Sequence, residues 1–231
     1  MPCKLYVFDA YGTLFDVHAA VARHAQAIGP QAERLSELWR SKQLEYCFVR
    51  SLMGAYRDFE ALTRDSLLYA AARCGGIDSA LIERLLAAYE VLDAYPDVRP
   101  ALNALKARGA RLAILSNGTP KMLASALAAA SLEDSFDDVL SVDALGLYKT
   151  APAVYQLAAS RFGLAPQEIS FQSSNRWDIA GAARFGFRTV WVNRTRMPDE
   201  YADLPPTYTI AGLDELPSLD DDAAAAGTIA T

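Results

Sequence analysis

Histidine is scarce in this sequence: His18 and His24 are the only two among 231 residues. No Gly-x-Ser-x-Gly elbow is present to place a serine nucleophile, so a Ser-His-Asp hydrolase is not expected. Both histidines fall in the first helical stretch, and neither takes a role. Cysteine is nearly as sparse. Cys3, Cys47 and Cys74 are an odd number without zinc-like spacing, which implies reduced thiols, no metal site and a cytoplasmic protein. A basic surplus is missing as well: 22 Lys and Arg stand against 28 Asp and Glu, a formal net charge of -6. Nucleic acid and anionic membranes both need concentrated positive charge, so neither is an expected partner. No segment reaches the roughly 20 apolar residues that span a bilayer, the N-terminus carries no charged leader, and repeats are not evident. What is present, 52% hydrophobic and 22% charged residues, describes a compact soluble globule. Its length suits one domain, or a core with an inserted cap.

Residues 4–8 form a short apolar run ending at Asp9 and then Gly12, the pattern of a buried strand entering a loop. From 17 to about 95 the periodicity is helical, with no convincing strand. The pattern then changes to a helix over 99–108, Gly109 as its stop, and a strand over 111–115. Further strands are expected at 138–141, 169–172, 189–192 and 208–211, with helices near 120–131, 151–162 and 178–185. Such βα alternation implies an α/β fold, a doubly wound parallel sheet with helices on both faces. Residues 1–16 and 97–218 would form this Rossmann-like core, and 17–96 a helical cap inserted after the first strand. The stretch 219–231, acidic and then Ala-rich, is expected to fray.

Open α/β sheets bind ligands outside the carboxyl ends of their strands. Four such ends deliver polar residues here: Asp9 and Thr13; Ser116 and Asn117; Lys149 ahead of a helix; and Ser173, Ser174 and Asn175, followed by Asp178. Together they supply a nucleophile, a cation, hydroxyl and amide donors, and a second carboxylate. Ser116 and Asn117 precede a helix start at Gly118-Thr119-Pro120, where backbone N–H groups favour an anion. Arg40 shares a helical face with Gln43, Leu44 and Cys47, so its charge lies on a mostly apolar stripe and calls for an anion.

These segments carry a resemblance. VFDAYGTLFD (7–16), LSNG (115–118), the Lys149 segment and SSNRWD (173–178) resemble the haloacid dehalogenase superfamily, and 39–59 is similar to the L-2-haloacid dehalogenases in particular. The likeness spans nearly the whole chain apart from the tail. Phosphatases of this fold hold magnesium with a second aspartate two residues after the nucleophile and an acidic pair on the fourth strand's loop. Here those positions are Tyr11 and Ser174, a poor set for a cation that demands hard oxygen ligands. Where relatives commonly read Lys-Pro-x-Pro, this chain reads Lys149-Thr150-Ala151-Pro152.

The resemblance implies hydrolysis of short-chain (S)-2-haloacids to (R)-2-hydroxyacids with neither metal nor organic cofactor. Asp9 would attack C2 and form an ester that water then cleaves. Lys149 would hold Asp9 ionised, and Asp178 would activate water or orient Lys149, with Ser173 and Asn175 as hydrogen-bonding supports. Ser116 is assigned to the substrate carboxylate, and Asn117 with Arg40 to the departing halide ion. Thr13 and Tyr155 match positions that orient carboxylates beside the substrate. Tyr11, Leu44, Phe59 and Trp177 either line an apolar pocket or belong to the core. A homodimer is the expected assembly. Three other readings stay open: a magnesium phosphatase, a non-catalytic anion-binding protein, and a hydrolase opening a strained ring beside a carboxylate.

Overall fold

The computed structural model describes residues 3–219. Its centre is a six-stranded, all-parallel sheet in the order β3-β2-β1-β4-β5-β6. The strands are β1 (Leu5–Phe8), β2 (Arg111–Ser116), β3 (Asp138–Ser141), β4 (Ile169–Ser173), β5 (Arg188–Val192) and β6 (Tyr208–Ile210). Every residue of β1 and β4 is buried, because parallel strands covered on both faces need continuous apolar character rather than alternation. Chain order runs outward from β1 through β2 to β3, then returns to the other side of β1 with β4. The β1/β4 junction is therefore the switch point, where a crevice opens at the carboxyl ends.

Five α-helices come first after β1: α1 (Ala19–Ala22), α2 (Ala25–Ile28), α3 (Ala32–Met53), α4 (Phe59–Arg73) and α5 (Ser79–Glu90). The helix α3 ends at Gly54, whose φ of 63° closes the last turn in the left-handed region that glycine tolerates. Asp58 then starts α4 by accepting from the Ala61 N–H at 2.7 Å, and Asp78 caps α5 in the same way. The remaining helices, α6 (Val98–Ala107), α7 (Pro120–Ala129), α8 (Pro152–Phe162) and α9 (Arg176–Phe185), cover the sheet.

The expected α/β architecture holds, with shifts at element ends. β4 extends to Ser173, one residue further than the apolar run suggests, because Ser173 pairs with Trp191 of β5. The helix expected from 178 begins at Arg176, since Asn175 has the extended backbone of an N-cap. His18 and His24 do not share one helix; they precede α1 and α2 respectively. The stretch 219–231, expected from the sequence to fray, lies outside the described residues apart from Leu219.

Candidate active site

Sheet register sets the site. Phe8 lies opposite Gln172, and the Asp9 N–H donates to the Gln172 carbonyl at 2.9 Å, so Asp9 emerges beside Ser173 at the switch point. Gly12, with φ of 94°, turns the chain sharply, letting Thr13 fold back to donate from Oγ1 to Asp9 Oδ2 at 2.8 Å. The same hydroxyl oxygen accepts from the Ser174 N–H at 2.8 Å, which fixes the β1 and β4 loops together. Arg194 braces them from behind, pairing with Asp97 and donating to the Thr13 carbonyl at 3.1 Å.

Both oxygens of Asp9 are occupied by donors. Oδ1 accepts from Lys149 Nζ at 2.9 Å, while Oδ2 accepts from Thr13, from Ser173 Oγ at 3.3 Å and from Asn175 Nδ2 at 2.8 Å. Lys149 is buried and its ammonium also reaches Asp178 Oδ2 at 2.8 Å. Burial opposes the ammonium, but attraction to Asp178 and Asp9 and their hydrogen bonds outweigh it, so the Lys149 pKa is raised. Asp178 is fully enclosed: burial raises its pKa to about 6 against the pull of Lys149, and repulsion from Asp9 adds to the rise. Tyr155 sits behind it, 0% exposed, and donates to Asp178 Oδ1 at 2.8 Å. The Tyr155 hydroxyl touches the carboxylate's second oxygen rather than any open space. Packing there requires Gly181, where a Cβ would lie 2.5 Å from Tyr155 Oη.

A cavity of about 580 Å³ lies beside this cluster and meets it at Asn175; Gly12, Arg40, Leu44 and Trp177 also line it. Arg40 reaches in from α3, donating to the Tyr11 carbonyl at 3.1 Å, Asn175 Oδ1 at 3.2 Å and Gln43 Oε1 at 2.9 Å. Asn175 thus touches both Arg40 and Asp9. Beside Lys149, Asn117 Oδ1 accepts from the Lys149 N–H at 3.1 Å, which leaves its amide nitrogen as a donor. Ser116 Oγ accepts from the Gly118 N–H at 3.1 Å, holding the turn ahead of α7, whose Pro120 start is capped by Thr119.

Tyr11 and Phe59 are both buried, with ring centroids 5.4 Å apart, and Tyr11 stacks on Tyr89 of α5 at 5.7 Å. Burial raises the Tyr11 pKa well above its ordinary value, so the phenol stays neutral. Leu44 and Trp177 are half-buried at the cavity wall. Gly118 was not legible as a site residue. A Cβ there would come within 2.6 Å of Tyr11 Cε2, and that ring is pinned by Phe59 and Tyr89. Gly118→Ala is expected to cost about 1–3 kcal/mol by overpacking and to raise the KM for substrate, as read by calorimetry and steady-state kinetics.

The arrangement does not fit magnesium. Asp9 Oδ2 already has three hydrogen-bond donors and Oδ1 an ammonium, while the second-aspartate position is an aromatic ring turned into the Phe59–Tyr89 cluster. What it can do is hold a buried carboxylate, paired with an ammonium, against a small anionic molecule.

Known proteins match this description. Residues 3–186 fit the family model of the haloacid dehalogenase-like hydrolases. A Pseudomonas protein named (S)-2-haloacid dehalogenase 1 is 49% identical, over 94% of this chain and 96% of its own length. (S)-2-haloacid dehalogenase 4A of Burkholderia cepacia is 48% identical, over 91% of each chain. The L-2-haloacid dehalogenase of Xanthobacter autotrophicus, solved with chloropropionic acid covalently bound, superposes with a TM-score of 0.87 at 37% identity, over 95% of this chain and 98% of that one. The chain belongs to the haloacid dehalogenase-like hydrolases, in the branch of the (S)-2-haloacid dehalogenases.

Proposed function

We propose that this enzyme hydrolyses short-chain (S)-2-haloacids to (R)-2-hydroxyacids through an ester on Asp9, using neither metal nor organic cofactor. The observation that carries the reading is the asymmetric environment of the Asp9 carboxylate. Oδ2 is committed to three donors, whereas Oδ1 faces only the Lys149 ammonium and keeps a lone pair for attack. In the first step Oδ1 bonds to C2 from the side opposite the halogen, and the carbon–halogen pair leaves as halide, with inversion. Arg40 and the Asn117 amide receive that anion, while Ser116 and the backbone N–H groups ahead of α7 hold the substrate carboxylate. Tyr11, Leu44, Phe59 and Trp177 accept the alkyl group.

In the second step water adds to Cγ of Asp9 and Oδ2 takes the developing negative charge. Thr13, Ser173 and Asn175 already surround that oxygen, so no reorganisation is needed when charge appears. The Cγ–Oδ1 bond then breaks, Oδ1 takes one proton of that water and leaves as the hydroxyl oxygen of the 2-hydroxyacid, the second proton passes to solvent, and the carboxylate is regenerated with one oxygen from water. Because both Asp178 oxygens are bound, by Lys149 and Tyr155, the orienting role for Asp178 is favoured over direct contact with water.

The direct test is halide release from L-2-chloropropionate in the presence of EDTA. Release from that enantiomer and not from its mirror image, unaffected by chelation, supports the reading; loss of activity in EDTA, or turnover of a phosphate ester instead, sinks it. A pH dependence follows from Asp178. Protonation, as pH falls through about 6, removes the charge that holds Lys149, so decay of the ester intermediate should slow on the acid side. Asp178→Asn should flatten that limb and slow ester decay about 10²-fold, measured in single-turnover mass spectrometry.

Residues 17–96 are read as the cap and 1–16 with 97–218 as the core, the cap closing the cavity to water. The proposed assembly is a homodimer. Val49, Leu52 and Met53 on α3, with Leu68 and Tyr69 on α4, leave large apolar side chains exposed, Leu52 to 88%. Leu52→Asp should shift the mass seen by sedimentation to that of a monomer; an unchanged mass would remove this face from the interface. The cytoplasm is the proposed compartment, on the composition of the chain and on three cysteines that form no disulfide.

A further inference from the structure

Among the described residues, Arg40 donates only to neutral groups. Its three acceptors are the Gln43 side-chain carbonyl, the Tyr11 backbone carbonyl and the Asn175 side-chain carbonyl. A guanidinium has five N–H donors, so it is steered without being neutralised, and donors remain for an anion. An arginine with a residue one turn away on α3 would ordinarily be matched by an acid at i+3, which would steer it and cancel its charge together.

We propose that Gln43 and Thr63 act as positioning residues that aim Arg40 into the cavity with its full charge intact, and so promote halide departure. This rests on the reading of Arg40 as the cation that receives the halide. Bond directions carry the argument. Thr63 Oγ1 donates its single hydrogen to the Phe59 carbonyl at 2.7 Å, so toward Gln43 it can only accept. It accepts from Gln43 Nε2 at 2.7 Å, and this fixes the amide so that Oε1 faces away from Thr63. That oxygen accepts from Arg40 Nη1 at 2.9 Å and from Tyr89 Oη at 3.2 Å. The Thr63 backbone carbonyl is itself bound by Trp39 Nε1 at 2.8 Å. Gln43 and Thr63 are 1% and 2% exposed, so water does not compete for these bonds. A chain of one-way hydrogen bonds thus runs from the Phe59 carbonyl through α4 and α3 to the guanidinium, and α5 contributes Tyr89.

The test compares Gln43→Glu, Thr63→Val and Thr63→Ser in the full-length protein, with halide release, inhibition by added chloride and thermal midpoint as readouts. Gln43→Glu places an anion against Arg40. It should slow ester formation about 10–100-fold and weaken chloride inhibition at least about tenfold, with ester decay unchanged. Thr63→Val frees the amide to flip and should move both quantities in the same direction by less, while Thr63→Ser, which keeps the hydroxyl, should match the parent. A purely structural role would lower the midpoint without separating ester formation from ester decay. Should Gln43→Glu fail to fold, the Thr63 pair reads the same two quantities. An active parent with unchanged ester formation and chloride inhibition in the folded variants overturns this proposal alone; a parent that releases no halide overturns it together with the reading of Arg40.

Discussion

Asp9→Ala is expected to lower halide release from L-2-chloropropionate by at least about 10⁴-fold, the scale on which losing a covalent nucleophile is felt. The fold should survive, because Lys149 keeps Asp178 as a partner 2.8 Å away and the buried charges still balance. Alanine is a cleaner replacement than asparagine here. An amide at position 9 would have to turn its NH₂ either toward the Lys149 ammonium or toward the three donors around Oδ2, setting donor against donor in a buried site. Asp9→Asn should therefore lose both turnover and thermal stability, and Asp9→Ala turnover alone. Chloride release and calorimetry on the two variants separate chemistry from folding.

Lys149→Met carries the second large effect, and it falls on stability as well as activity. Removing the ammonium strands Asp9 and Asp178, two buried carboxylates that face one another across the space it fills. Breaking a buried ion pair from one side costs about 3–5 kcal/mol, and here two partners are orphaned, so the upper part of that range is expected. Activity should vanish with it. The double variant Lys149→Met with Asp178→Asn should recover much of the denaturation midpoint and none of the turnover; equal recovery of both would contradict the assigned division of labour. In the parent protein the raised Lys149 pKa has a definite sign. Its contribution to stability is present below the ordinary lysine value, about 10.4, and is lost as pH rises through the higher folded-state value.

Much of this could be read from the chain because the chemistry sits at strand ends, and strand ends are marked by abrupt changes from apolar to polar residues. Asp9 after Leu5–Phe8 and Ser116 at the end of the apolar strand Arg111–Ser116 are such marks. Lys149 was legible for a different reason, a motif in the expected order, since nothing local distinguishes a buried lysine from a surface one. The supports were not legible. Gln43 finds Thr63 twenty residues on and Tyr89 forty-six residues on, pairings set by how α3, α4 and α5 pack, and no periodicity reports them. The sequence marks Gly118 only as part of a helix start, because its need for a missing Cβ comes from the Tyr11 ring across the site. Element ends moved where tertiary pairing or capping decided them, as with Ser173 joining β4 and Asn175 starting α9 early.

A buried carboxylate whose two oxygens have different partners implies two different fates for them: Oδ1 departs with product, and Oδ2 stays to carry charge. One turnover in oxygen-18 water, with enzyme in excess over L-2-chloropropionate, reads this directly by mass spectrometry of the peptide containing Asp9. Heavy oxygen in Asp9, with unlabelled lactate released, is the predicted result. Label in the lactate and none in Asp9 would mean that water attacks the substrate carbon itself, and the covalent account would be wrong.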